Sequence, residues 1–291
     1  MNILNSVKRL RAHYRDAGTR GFNRAIHTQL QNSIGSTLAR VTDSGTNIFE
    51  REWDLLLVLD ACRSDLMKEV AEEYSFVGEE TTITSVGSTS AEWLRKTFDD
   101  EHAEETMRTV YITGNPHTAT ELDAKQFDNL DEMWRYAWDE DAGTIRPRPI
   151  TDHVIDVCRR KDPDRVIGHY MQPHYPFLDD LDIRPSDMQG DIWTALRDDD
   201  YSEARIWDAY RKNLRLVLDD VELLLKNVDA EKVFITADHG NAVGEYGFYG
   251  HPPGFPLKVL RDVPWITTSS TDEQTHQPTE YDTEEEIQKG W

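Results

Sequence analysis

The chain has 291 residues, with 55 Asp and Glu against 32 Lys and Arg and a formal net charge of −23. Phosphate backbones are bound through Lys and Arg, so this balance excludes nucleic acid as a partner. An acidic surface poor in Lys and richer in Arg is the pattern of salt-loving organisms, where the charge keeps the protein soluble. Two cysteines are too few for a disulfide framework, and no apolar run approaches the ~20 residues of a spanning helix. With no signal-peptide core at the start, these features predict a cytoplasmic protein with room for one large α/β domain.

Residues 1–45 stand apart as a basic segment. Their first forty carry Lys8, Arg9, Arg11, Arg15, Arg20, Arg24 and Arg40 against a single acid, Asp16, with Val7, Leu10, Tyr14, Phe22, Ile26 and Leu30 at helical spacing. Such a helix suits contact with the acidic body, a partner subunit or an anionic membrane surface. Asp54–Asp60, DLLLVLD, then reads as a buried strand ending in Asp60. A helix is expected over Ala61–Tyr74, with Arg63 one turn in and placed to pair with an anion or a local carboxylate. Thr81–Val86 alternates as a strand should and gives way to Gly87, Ser88, Thr89 and Ser90 at the start of a helical pattern. On these residues alone an ordinary hydroxyl N-cap is the favoured reading. A hydroxyl there also faces unpaired N–H groups, which suits a nucleophile attacking an anionic ester.

Arg108–Thr113 is a further strand, followed by His117 in an exposed loop. Trp134 and Trp138, at i and i+4 in the acidic stretch Glu121–Asp141, predict a helix face, and Thr151–Arg160 a second helix. Within the strand Arg165–Gln172, His169 reads as a hydrogen-bonded core histidine, whereas His174, between Pro173 and Pro176, is better placed for function. The polar stretch Leu178–Tyr201 suggests an insertion or lid, and Glu203–Lys226 is the clearest helix. Val233–Ile235 is a short buried strand that stops at Asp238-His239-Gly240 and enters a glycine-rich loop reaching His251. Val263–Ile266 reads as a closing strand, and residues 269–291 as an acidic disordered tail.

Several strand ends therefore present a metal-ligand or nucleophile type, which packing alone does not explain. Asp60 with Arg63, the Gly-Ser-Thr-Ser stretch, Pro-His-Tyr-Pro and Ala237-Asp238-His239-Gly240, in this order over roughly residues 53–266, resemble the alkaline phosphatase/sulfatase superfamily. The run from Gly244-Glu245 to Tyr249-Gly250-His251 is similar to its phosphoethanolamine and phosphoglycerol transferase branches. The resemblance implies an α/β fold over residues 46–268, a three-layer α/β/α sandwich with a mostly parallel central sheet. It implies a metal site of Asp60, Thr89, Asp238 and His239, filled by Zn²⁺ or Mn²⁺ with Ca²⁺ or Mg²⁺ as alternatives. Thr89 is then the nucleophile that forms a covalent intermediate, with Ser88 and Ser90 as alternatives, while Arg63, His174 and His251 hold the ester oxygens or protonate the leaving group. Cys62 lacks the residues that follow the modified cysteine of sulfatases, and reads as a packing residue. The expected activity is a metal-dependent hydrolase or transferase of phosphate or sulfate esters carried on a glycan or lipid. A sulfatase in the narrow sense, and a non-catalytic anionic-glycan-binding or scaffold protein, are the alternatives.

Overall fold

A computed structural model describes residues 45–78, 80–161, 163–183 and 191–281. The expected basic segment lies outside them but for its last residue. Strand β1 (Leu55–Leu59) is buried along its whole length. It lies between the parallel strands β5 (Arg165–Tyr170) and β6 (Ala230–Thr236), with Leu55 opposite both Val166 and Val233. A strand covered on both faces needs apolar side chains at every position, which is why LLLVL does not alternate. Its side chains still divide by parity. Leu55, Leu57 and Leu59 enter one core and Leu56 and Val58 the other.

The first core is closed by helices α1 (Ser64–Val70), α3 (Pro147–Lys161) and α5 (Glu203–Leu225), and the second by α2 (Ser90–Thr97). Helix α5 forms because Ser202 caps it and Ile206, Tyr210, Leu214, Val217, Leu218 and Val221 fall on one buried stripe. The result is the expected three-layer α/β/α arrangement. With β2 (Glu80–Thr84), β3 (Thr109–Thr113), β4 (Asn129–Glu132) and β9 (Asp262–Ser270), the sheet has seven strands in the order β2-β9-β6-β1-β5-β3-β4. Strand β9 alone runs against its neighbours. A hairpin of β7 (Ala242–Val243) and β8 (Tyr249–Gly250) stands beyond the end of β6. No helix of the described residues is long and apolar enough to cross a membrane.

Three expectations fail locally. Residues 191–197 are not part of a polar lid: Asp191 caps a short helix, α4 (Ile192–Arg197), whose Ile192, Trp193, Ala195 and Leu196 enter the core shared with β1. Trp134 lies in a single 3-10 turn, Met133–Arg135, because the edge strand β4 uses the residues before it. The acidic tail is held in place as far as residue 281. Arg159 pairs with Asp272, His276 Nε2 meets Asp152 Oδ1 at 2.7 Å, and the Thr279 N–H donates to Asp152 Oδ2 at 3.0 Å. Composition cannot reveal such partners, because they belong to α3.

Candidate active site

The strand ends meet at one edge of the sheet. Asp60 directly follows β1, Asp238 and His239 follow β6, His169 is the penultimate residue of β5, and Ser90 opens α2. All five are buried. The Ser90 Oγ lies 3.2 Å from His239 Nε2 and 3.4 Å from Asp60 Oδ2. His239 Nε2 is 3.6 Å from Asp60 Oδ1 and 3.5 Å from Asp238 Oδ2. Asp238 Oδ1 is committed elsewhere, accepting the N–H groups of Ala61 at 3.0 Å and of His239 at 2.8 Å. Asn115, just past the end of β3, donates from Nδ2 to Asp60 Oδ2 at 3.0 Å.

Of the three neighbouring hydroxyls, it is that of Ser90 which meets Asp60 and His239. Thr89 is the N-cap of α2, with extended backbone (φ −147°, ψ 156°), and its Oγ1 accepts the Glu92 N–H at 3.2 Å. That reach back to the third helical residue commits the Thr89 oxygen to the helix cap. Ser90 is the first helical residue, and its side chain faces the carboxylates. Ser88 is held apart, its hydroxyl between Glu92 Oε2, the Pro252 carbonyl and the Gly254 N–H. Gly87 is required by close approach, since a Cβ there would sit 2.5 Å from the Trp93 nitrogen.

Arg63 does not reach the site. Its Nε and Nη2 bind the two oxygens of Asp65 at 2.8 and 2.6 Å, and Nη1 binds Glu245 Oε1 and the Asn241 carbonyl at 2.6 and 2.8 Å. The guanidinium also stacks over Trp207 at 4.8 Å. Arg63 therefore ties α1 to the loop after β6, and an anion has no vacant fork to enter. His174 and His251 do come together, Nε2 to Nε2 at 3.2 Å, and the His251 ring lies 4.5 Å from that of His239. Trp193 stands edge-on to His174. Burial pushes His174 down to about 4, helped by His239, and pushes His251 well below its ordinary value, so both are neutral at neutral pH.

Two tautomers follow from carbonyl partners. His174 Nδ1 faces the Tyr175 carbonyl at 2.6 Å, and His239 Nδ1 faces that of Gly240 at 2.9 Å. A carbonyl only accepts, so each Nδ1 carries the proton and each neutral Nε2 is bare. The bare His239 Nε2 consequently points its lone pair at two carboxylate oxygens. Burial and the charge of Asp238 push the Asp60 carboxyl well up. Acceptors facing one another in a dry site need a cation between them. The side-chain atoms His169 Nε2 and Asp238 Oδ2 have no hydrogen-bond partner. Metal–donor bonds of about 2.0–2.1 Å put neighbouring donors about 3.4 Å apart at a tetrahedral angle, against the 3.2 to 3.6 Å found around His239 Nε2. Asp60, Ser90, Asp238 and His239 fit a divalent metal.

Ser90, His169 and Asn115 carry more of this site than their sequence context suggests. For Asn115 a signal existed, since Gly114-Asn115-Pro116 ends a buried strand just as Asp60 does.

No family model matches the chain, and no curated protein matches it. Solved structures do. The integral membrane protein lipooligosaccharide phosphoethanolamine transferase A from Neisseria meningitidis superposes with a TM-score of 0.52 at 12% identity, covering 94% of this chain and 60% of that one. A protein solved with its substrate D-glucosamine-2-N,6-O-disulfate gives 0.50 at 12% identity over 75% of this chain and 71% of the other. The soluble domain of the Neisseria transferase gives 0.49 at 16% identity, covering 76% and 77%. At these identities the likeness is one of fold, and the chain spans 60% of the length of the membrane transferase.

Proposed function

We propose a metal-dependent enzyme of the alkaline phosphatase/sulfatase superfamily that cleaves or transfers a phosphoester group carried on a glycan or lipid. The observation that carries the reading is convergence. Three separate chain segments bring Asp60, Ser90 and the Asp238–His239 pair within 3.2 to 3.6 Å contacts of one another. When bound, a divalent cation lowers the pKa of a serine hydroxyl and draws charge from the ester oxygen.

The chain supplies the rest. Ser90 Oγ gives up its proton to solvent and attacks in line, a bond forms from Oγ to phosphorus, and the bond to the leaving oxygen breaks, giving a phosphoserine. Water or an acceptor alcohol then resolves it. The first turn of α2 presents its unpaired N–H groups near the attacked centre. The bare His174 Nε2 accepts the proton that His251 holds on Nε2, so the neutral pair orients one proton beside the leaving oxygen. Arg63 is locked elsewhere, and the histidines beside the metal ligands, His174 and His251, are neutral, which favours a singly charged phosphodiester over a doubly charged monoester. Cys62 is fully buried in the core under β1, which argues against a modified-cysteine sulfatase.

The test is turnover of an aryl phosphodiester by the metal-loaded chain, with loss on chelation. Faster turnover of the matching aryl sulfate would turn the assignment to a sulfatase. No turnover of either ester with metal bound would leave a binding protein.

A further inference from the structure

His169 is fully buried, yet its Nε2 has no hydrogen-bond partner. An orphaned polar atom of this kind is costly unless something meets it. What it faces is another such atom, Asp238 Oδ2, at 3.8 Å. A protonated Nε2 would be expected to close to about 2.9 Å on a carboxylate. Two donors sharing a cation at about 2.1 Å instead stand about 3.6 Å apart at an angle of 120°. Donor atoms of Asp60, His169 and Asp238 all lie within 4.8 Å of one another.

The other side of the ring is arranged for that role. His169 Nδ1 meets the Tyr111 hydroxyl at 2.7 Å. With the proton on Nδ1 and donated to the Tyr111 oxygen, Nε2 is bare. A ligating imidazole is oriented in this way by a partner on its second nitrogen. Trp93 packs edge-on against the ring at 5.6 Å and Tyr111 stacks at 18° to it, so the imidazole is confined to this orientation.

We propose that His169 is a ligand of the divalent cation held by Asp60, Asp238 and His239, which gives the centre two imidazoles. The inference rests on the metal centre of the proposed function, though not on its activity. Two nitrogens bias the site toward a borderline ion such as Zn²⁺ and away from Ca²⁺ and Mg²⁺, which select oxygens.

The test uses the full chain loaded with one equivalent of Zn²⁺. X-ray absorption fine structure counts imidazoles from their outer-shell scattering, and a chromophoric chelator competes for the metal. Two imidazoles are expected in the parent protein and one in His169→Gln, with Zn²⁺ affinity lower by at least about tenfold in the variant. A single imidazole in the parent protein overturns the proposal, as does unchanged affinity in His169→Gln or a failure to bind Zn²⁺ at all. If His169→Gln does not fold, the count in the parent protein decides. A two-imidazole centre with no turnover of any ester upholds this assignment while removing the proposed function.

Discussion

Replacing Ser90 with Ala removes the hydroxyl that stands 3.2 Å from His239 Nε2, while Thr89→Ala removes only a helix cap. The two substitutions are adjacent and chemically similar, so they separate the catalytic reading from a general effect on α2. Loss of a nucleophile costs at least about 4 kcal/mol of barrier, about a thousandfold in kcat/KM. Loss of the cap hydrogen bond to Glu92 costs about 1 kcal/mol of stability, or about 2–4 °C in Tm for a domain of this size. Ser90→Ala is expected to be inactive at nearly parental Tm. Thr89→Ala is expected to melt earlier and keep kcat/KM within about threefold. The assay is aryl phosphodiester turnover beside thermal melting, with mass spectrometry locating the phosphoryl group after reaction with a slow substrate. A phosphoryl group on Thr89, or an active Ser90→Ala protein, would refute the assignment.

Arg63→Ala strands Glu245 and releases the Asn241 carbonyl, so a loss of about 3 kcal/mol is expected; a raised KM without a fall in Tm would instead return Arg63 to substrate binding. Chelation should lower Tm, since a cation present at 1,000 times its Kd adds about 4 kcal/mol, and equal melting with and without chelator would speak against a bound metal. Asp131 sits in a buried pair with His153 at 2.7 Å. Burial pushes its carboxyl up, but the His153 and Tyr136 hydrogen bonds outweigh that and hold it below its usual value. Its contribution is therefore present above the unfolded pKa of about 3.9 and lost as pH falls below it. Asp131→Asn should flatten stability against pH in that acidic window, and an unchanged profile would count against the pair.

The sheet was legible because buried parallel strands are continuous apolar runs, and β1, β3, β5 and β6 all fall where such runs stand. Their ends were legible too, because Asp60, Asp238 and His239 interrupt those runs with groups that packing does not want. Ser90 was not separable from Thr89 by spacing. The choice depends on which residue is the cap, and a cap is a backbone conformation one residue wide. His169 was hidden for the opposite reason: in a strand covered on both faces, a satisfied core histidine and a metal ligand look alike in sequence. Arg63 shows a third limit. Its partner Glu245 lies 182 positions away, and nothing local tells a guanidinium committed to a distant carboxylate from one left open for an ester.

The turn after β1 shows how the site is held. Ala61 adopts a left-handed conformation (φ 62°), which costs a non-glycine residue about 1–2 kcal/mol. Its N–H binds Asp238 Oδ1 at 3.0 Å, and its carbonyl accepts the Tyr210 hydroxyl. The reversal thus ties the end of β1 to the end of β6, and Asp60 and Asp238 cannot drift apart. Ala61→Gly would relieve the strain, but it gives up the buried methyl at about 0.8 kcal/mol and adds about 0.4–1 kcal/mol of unfolded-state entropy. These terms nearly cancel, so Tm should stay within about 3 °C of the parent. Tyr210→Phe frees the Ala61 carbonyl without changing β1, and should lower metal affinity more than it lowers Tm. A Tyr210→Phe protein that melts early yet binds Zn²⁺ as before would show that the turn supports the core and not the metal centre.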